Sequence, residues 1–407
     1  MPPVQADHSS RRRNASIGRP LIAVADAGWH TTDHLFRAID PERAETLLLE
    51  CVSFANARSR GIPLRNWVDP TREISPGLHR RRLVLPPGWM SIYPALGMRP
   101  LSATIARRRR AAGGPLVLVF TYPQYLTLAD RLKPEVCIYF NVDDYRLYWP
   151  KRSAEVEAME IESVRRADLT FCVSLHRAEE LRRSVPEAAE RIRHLPHGVP
   201  RDWLAPEAIA GPAPAPDRIA RLPRPLIGYI GSLEDRVDWA LLDRIAEAFG
   251  EASLVLVGDH SPMQPGGETP RDRCLARPNV HAIGRCEQSE VPAFNRSFDV
   301  ALIPYLVEHP FNIACCPTKI MDTFAAARPL VSTALPECLL HRERMTIADD
   351  DAGFVEAIGR ILAAGSTDGL ESARFDWAAG HTCDLVVSEL LDAAEAILAG
   401  RSPRASR

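Results

Sequence analysis

Short apolar runs, many rich in β-branched residues, recur along this chain and alternate with stretches of helical spacing. The runs Leu21–Ala25, Thr46–Cys51, Leu116–Phe120, Val136–Phe140, Leu169–Val173 and Ile192–Leu195 predict a first series of strands. Between them lie amphipathic segments such as Ser153–Arg166, where Ala154, Val156, Met159, Ile161 and Val164 fall at helical steps. A second series starts at Leu226–Ile230 and continues through Leu254–Val257, Val280–Ile283, Val300–Ile303 and Leu330–Ser332. Strand–helix alternation twice over predicts an α/β protein of two doubly wound, Rossmann-like domains with mainly parallel sheets.

The stretch LAPEAIAGPAPAPDRIARLPRP separates the two series; its six prolines and lack of periodicity predict a stiff linker over 204–225. The expected organisation is an N-terminal domain over 19–203, the linker, a C-terminal domain over 226–374, and a closing helix over 375–398 packing back on the first domain. A chain of 407 residues suits two such domains, and 46% apolar residues supply two cores. The nine cysteines show no CxxC pair and no metal-ligand spacing, so free thiols in a reducing, cytoplasmic compartment are expected. The arginines near the start resemble a twin-arginine signal, but the apolar stretch after them is short, contains Asp26 and reads as a strand.

Charge changes the picture. The net charge is −2, yet Cys51–Lys133 carries 14 Lys/Arg against three acids, Asp69, Glu73 and Asp130. A segment at +11 suits an anionic partner, and with Trp67, Trp89 and Tyr93 it suggests peripheral attachment to an anionic membrane face. The segment lacks the interleaved aromatics of a nucleic-acid binder, so no nucleic-acid partner is expected.

Candidate chemistry lies at strand ends. After Leu226–Ile230, Gly231 lets a backbone approach a ligand, and the helix expected from about Val237 would present free N–H groups to phosphate. In CCPTKIMDTFAAARPLVSTALPE, Pro317 and Thr318 suit a helix start and place Lys319 one turn before Asp322. Lysine is rare here, at only Lys133, Lys151 and Lys319. Lys319 could neutralise phosphate and Asp322 could accept from ribose hydroxyls, or the two could form a surface ion pair. In IYFNVDDYRLYW, Asp143 and Asp144 follow a strand, at the ligand edge of a parallel sheet. Either could take a proton from an acceptor hydroxyl, or cap the helix that follows. Tyr145, Tyr148 and Trp149 could stack on a sugar. The loop DAGWHTTDHLF adds Gly28, His30 and His34 as acceptor-side candidates.

The succession GYIGSL, LVLVGD, NVHAIGR, VPAFNRSFDVALIPY and PTKIMDTFAAARPLVSTALPE resembles the C-terminal domain of bacterial GT-B glycosyltransferases, including those of surface-polysaccharide assembly. RRADLTFCVSLHRAEEL with IRHLPHGVP, YFNVDDY, and Trp377 in FDWAAG resemble further parts of the same proteins. The resemblance runs from Val136 to about Leu398. It implies two Rossmann-like domains facing each other across a cleft, with a UDP- or GDP-sugar held by Gly231, Ser232, Arg236, Arg285, Thr318, Lys319 and Asp322. It further implies Asp143 or Asp144 as the base, a glycan or lipid-linked acceptor, and no metal or other cofactor. Two departures stand out. Of the acid pair eight positions apart in many retaining members only Asp322 is present, Ala314 filling the other place. The usual Arg and Lys after the glycine are Ser232 and Val237, with Arg236 as the substitute. A nucleotide-sugar epimerase of the same fold and a non-catalytic binding subunit are the competing readings.

Overall fold

The computed structural model describes residues 18–59, 61–64, 67, 69–90, 94–259 and 269–400. The chain divides into two compact units. The first holds the chain up to Phe140, Arg166–Leu169 and the chain from Leu391 onward; the second holds Asn141–Arg165 and Thr170–Leu390.

The first unit carries strands β1 (Leu21–Ala25), β2 (Glu45–Ser53), β3 (Arg72–Ser75), β4 (Leu78–Leu85), β5 (Leu116–Phe120) and β6 (Val136–Asn141). They stand in the order β3-β4-β2-β1-β5-β6, parallel throughout except for β3 against β4. Every residue of β1 and β5 is buried, as expected for central strands of a sheet covered on both faces. Strands β3 and β4 are absent from the expectation. The run LHRRRLVL places three arginines inside a strand, and each finds a partner there. Arg80 pairs with Asp33, Arg81 donates to Thr104 Oγ1 at 2.6 Å, and Arg82 Nε donates to Glu50 at 3.0 Å.

These pairings also revise the charge reading. Arg108 pairs with Glu45, and Arg109 lies 2.5 Å from Glu135. Asp33, Glu45, Glu50 and Glu135 all lie outside Cys51–Lys133, so folding brings in acids that the local count omits. Trp89 is only 5% exposed and is not available to a lipid interface. Trp67 stacks on Phe54 with centroids 5.1 Å apart, and Tyr93 lies outside the described residues. No described helix is long and apolar enough to cross a membrane.

The second unit contains the parallel pair β7 (Leu169–Cys172) and β8 (Ile192–His194). It also contains a six-stranded parallel sheet, with β9 (Leu226–Ile230), β10 (Ser253–Val257), β11 (Val280–Gly284), β12 (Val300–Ile303), β13 (Leu330–Thr333) and β14 (Thr346–Ala348). Its order is β11-β10-β9-β12-β13-β14, with β9 and β12 at the centre. The sequence reading misses β14, a three-residue strand too short to show periodicity. The segment 204–225 is not a bare spacer. Ala205 and Ala208 pack on Ala327, and Arg328 donates to the Ala208 carbonyl at 2.7 Å. Arg218 donates to the Ile283 carbonyl at 2.6 Å. Proline removes amide donors but leaves carbonyls, and here arginines from the segment and from its surroundings satisfy backbone carbonyls.

Candidate active site

The site grows from the end of β9, at the sheet's carboxyl edge. Gly231 adopts φ 148°, and a Cβ there would come within 2.5 Å of Lys319 Nζ. Lys319 is the second residue of the helix Thr318–Ala325, which Pro317 leads in. Its ammonium donates to the Tyr305 hydroxyl at 2.7 Å. It also stands 5.0 Å and 5.1 Å from the ring centroids of Tyr229 and Tyr305. The expected alternative, an ion pair with Asp322, does not form, and Lys319 has no carboxylate partner among the described residues. Phenol and ring faces therefore hold a cation in a partly desolvated place without cancelling its charge.

Arg236 supplies a second cation. Its guanidinium carbon lies 5.5 Å from the Tyr305 centroid, and its buried Nε has no hydrogen-bond partner among the described residues. The carbonyl of Arg236 accepts from Asn312 Nδ2 at 2.9 Å, so the backbone carrying this arginine is pinned. Two cations thus stand beside one buried phenol, next to a glycine that keeps the space open, an arrangement whose chemistry suits an anion.

Asp322 makes no ion pair with either cation among the described residues. Burial pushes its carboxyl up to about 7, while the charge of Lys319 pulls the other way. No hydrogen bond to this carboxyl is found among the described residues, so a ligand with hydroxyls would be its natural partner. The sign of its effect on stability follows directly. The folded state holds a proton that the unfolded state releases near 4, so Asp322 destabilises the fold increasingly as pH rises from about 4 to about 7. Asp322→Asn should therefore raise Tm clearly at pH 8 and little at pH 4, a comparison two melting scans decide.

A third element of the unit contributes Asp143 and Asp144, directly after β6. Asp143 Oδ2 accepts from the Tyr148 hydroxyl at 2.7 Å, and its Oδ1 accepts from the Asp144 amide at 2.9 Å. Burial raises its pKa; Tyr148, the Asp144 amide and the charge of Arg236 oppose that rise. Tyr148 is 38% exposed and meets Phe311 edge to face at 5.1 Å. The carboxylate of the neighbour Asp144 is already engaged. It caps the turn Tyr145–Tyr148 by accepting from the Arg146 amide at 3.1 Å, and it takes a forked pair from the Arg146 guanidinium at 2.8 and 2.7 Å. Arg146 continues to Glu180 at 2.7 Å, Glu180 to Arg177, and Arg177 to the buried Glu160 at 2.7 Å. Asn141 Nδ2 ties Glu160 to the Asp143 carbonyl at 2.8 and 2.9 Å. Although burial raises the Asp144 carboxyl, the arginines outweigh it, and the net shift is downward. Its stabilisation is thus present at neutral pH and is lost only on strong acidification. Asp144→Asn should cost about 1.5–3 kcal/mol, the scale of a charge-assisted bond rather than of a cap alone. Chemical denaturation at pH 7 measures it.

The other expected site residues spread more widely. Thr318 is half-buried at the helix start, and Ser232 is exposed with its carbonyl accepting from Tyr229 at 2.8 Å. The Arg285 side chain is 82% exposed at the end of β11, 3.9 Å from Asp259. Tyr145 is 1% exposed and cannot present its ring to an acceptor, a role its neighbour Tyr148 can fill. Gly28 and His30 lie in the first unit, both exposed after β1. Tyr229 and Tyr305, which hold Lys319, were not expected. Their signal was the tyrosine near each strand end, in GYIG and IPY. Among the described residues no group of His, Cys, Asp and Glu is arranged to hold a metal ion.

This architecture is the GT-B fold. Residues 224–364 match the family model of Glycosyl transferases group 1, a span that includes Gly231, Arg236, Lys319 and Asp322. A Bacillus subtilis protein named as a teichuronic acid biosynthesis glycosyltransferase, TuaH, is 26% identical over 187 residues, which are 46% of this chain and 45% of TuaH. The chain thus spans less than half the length of that curated relative. Among solved structures, Anabaena HepE in complex with UDP and glucose superposes with a TM-score of 0.61 at 14% identity, covering 91% of this chain and 99% of HepE. An α,α-trehalose 6-phosphate synthase from Burkholderia multivorans gives 0.65 at 12% identity, covering 95% of this chain and all of that one.

Proposed function

We propose that the protein is a glycosyltransferase that moves a sugar from a nucleoside diphosphate sugar to a glycan or lipid-linked acceptor in surface-polysaccharide assembly. The observation that carries this reading is Lys319, a cation with no acid partner among the described residues, seated against Gly231 inside the segment that matches the glycosyltransferase model. Lys319 and Arg236 would neutralise the diphosphate, and Asp322 would receive the ribose hydroxyls. Asp143 would accept the proton of the attacking hydroxyl. A UDP-sugar is the first donor to try, because HepE was solved with UDP and glucose. Two cations at the diphosphate leave no charge for a metal to balance, so binding should survive EDTA.

Thermal shift tests the reading. UDP, GDP and their glucose conjugates, each at about 100 times the dissociation constant, should stabilise the fold by about 2.7 kcal/mol if bound. No shift with any of the four would remove the proposal. The domains proposed for donor and acceptor are 226–374 and 19–203, with 375–398 closing the chain. The proposed cytoplasmic placement includes a peripheral membrane contact through Cys51–Lys133. Its electrostatic basis is reduced by the acids that Arg80, Arg82, Arg108 and Arg109 already meet.

A further inference from the structure

The loop after β1 combines three features that the donor chemistry leaves unused. Asp26 adopts φ 66°, a left-handed conformation that costs a residue with a Cβ about 1 kcal/mol or more. It is buried, and its carboxylate accepts from the Tyr125 hydroxyl at 3.1 Å and from the Gly28 amide at 3.3 Å. A Cβ on Gly28 would stand 2.9 Å from that carboxylate, so the turn is as tight as a backbone allows. The carbonyls of Ala25 and Asp26 both receive the Thr121 hydroxyl at 3.3 Å, tying the turn to the end of β5. A strained turn held by four hydrogen bonds is a turn whose tip is being aimed.

The tip is Trp29. Its side chain leads a helix, His30–Arg37, that it does not cap. The residue is 41% exposed, and its indole N–H is already satisfied by the Tyr122 hydroxyl at 2.9 Å. Tyr122 in turn meets Tyr125 edge to face at 6.2 Å, so the indole is braced by the same tyrosine pair that holds Asp26. An indole whose polar edge is fixed and whose surface stays open suits the apolar face of a pyranose ring. A lipid interface asks for something different, a tryptophan whose N–H is free for headgroups.

We infer that Trp29 is a stacking platform for a neutral pyranose of the acceptor, and that Asp26 is the positioning residue that holds it through Gly28 and Tyr125. The inference rests on the glycosyltransferase reading for the word acceptor, but the platform itself can be tested without turnover. The measurement is saturation-transfer NMR on the full chain with methyl β-D-glucopyranoside. The wild type should show transfer to the ring C–H protons. Trp29→Phe should keep it, and Trp29→Ala should weaken binding about three- to tenfold. Trp29 is exposed, so its loss leaves the fold intact, which a melting scan verifies. Asp26→Asn keeps one acceptor oxygen for the Gly28 amide, can turn its NH2 to the Tyr125 oxygen and tolerates the left-handed backbone, so it should bind like wild type, whereas Asp26→Ala should bind like Trp29→Ala. Equal transfer in wild type and Trp29→Ala overturns the proposal. So does an absence of sugar transfer with Trp29-dependent pelleting on phosphatidylglycerol vesicles, which would assign the indole to a membrane. Donor binding is read separately by UDP thermal shift, so failure of the platform and failure of the enzymatic reading are distinguishable.

Discussion

Asp143→Asn is expected to lower turnover about a hundredfold or more while leaving the fold and donor affinity in place. The amide oxygen keeps the bond from the Asp144 backbone, and the amide NH2 can donate to the Tyr148 hydroxyl in place of accepting from it, so the loop geometry survives. What disappears is the ability to take a proton. Burial makes this carboxylate a stronger base than an ordinary aspartate, and the network from Asp144 to Glu160 fixes the backbone that carries it. Because the carboxyl titrates above the usual range, activity in the wild type should fall on its acid side at a higher pH than an unperturbed aspartate would give. Tyr148→Phe deletes a bond that favours the charged form, so it should move that acid limb to still higher pH. Near-normal turnover of Asp143→Asn at saturating substrates, or a product that retains the donor's anomeric configuration, would remove Asp143 as the base.

The fold was legible because parallel strands buried on both faces read as unbroken apolar runs. Leu21–Ala25, Leu116–Phe120, Leu226–Ile230 and Val300–Ile303 coincide with observed strands residue for residue. What could not be read was any element whose polar groups are satisfied by distant partners. Strand β4 looks like a charged loop until Asp33, Glu50 and Thr104 stand beside its arginines. The basic segment looks like a binding face for the same reason. At the site, spacing could bring Lys319 to a helix start but could not say whether Asp322 cancels it. That depends on χ angles and on Tyr305, fourteen residues away, which takes the ammonium instead. Spacing likewise could not separate Asp143 from Asp144. Their difference comes from Arg146 and Arg177, which claim one carboxylate and leave its neighbour to Tyr148.

Lys319→Ala should weaken nucleoside diphosphate binding by about 1.5–3 kcal/mol, roughly ten- to 150-fold, with Tm nearly unchanged. The stability part follows from what Lys319 touches. Its ammonium has one neutral hydrogen bond and two aromatic faces, so its removal breaks no ion pair, and Asp322, which feels its charge, is already raised enough to hold its proton. The affinity part follows from the same fact, since the only strong partner such a cation can acquire is an anionic ligand. Lys319→Arg should fail to rescue. The ammonium sits where a Cβ on Gly231 would approach to 2.5 Å, and a planar fork is bulkier and demands two acceptors in its plane. Gly231→Ala should therefore resemble Lys319→Ala in affinity but add a loss of stability, because its φ of 148° is strained for any side chain. Calorimetric titration with UDP reads the three variants side by side. Unchanged affinity in Lys319→Ala would take the diphosphate away from this end of the sheet, and with it the observation on which the functional reading stands.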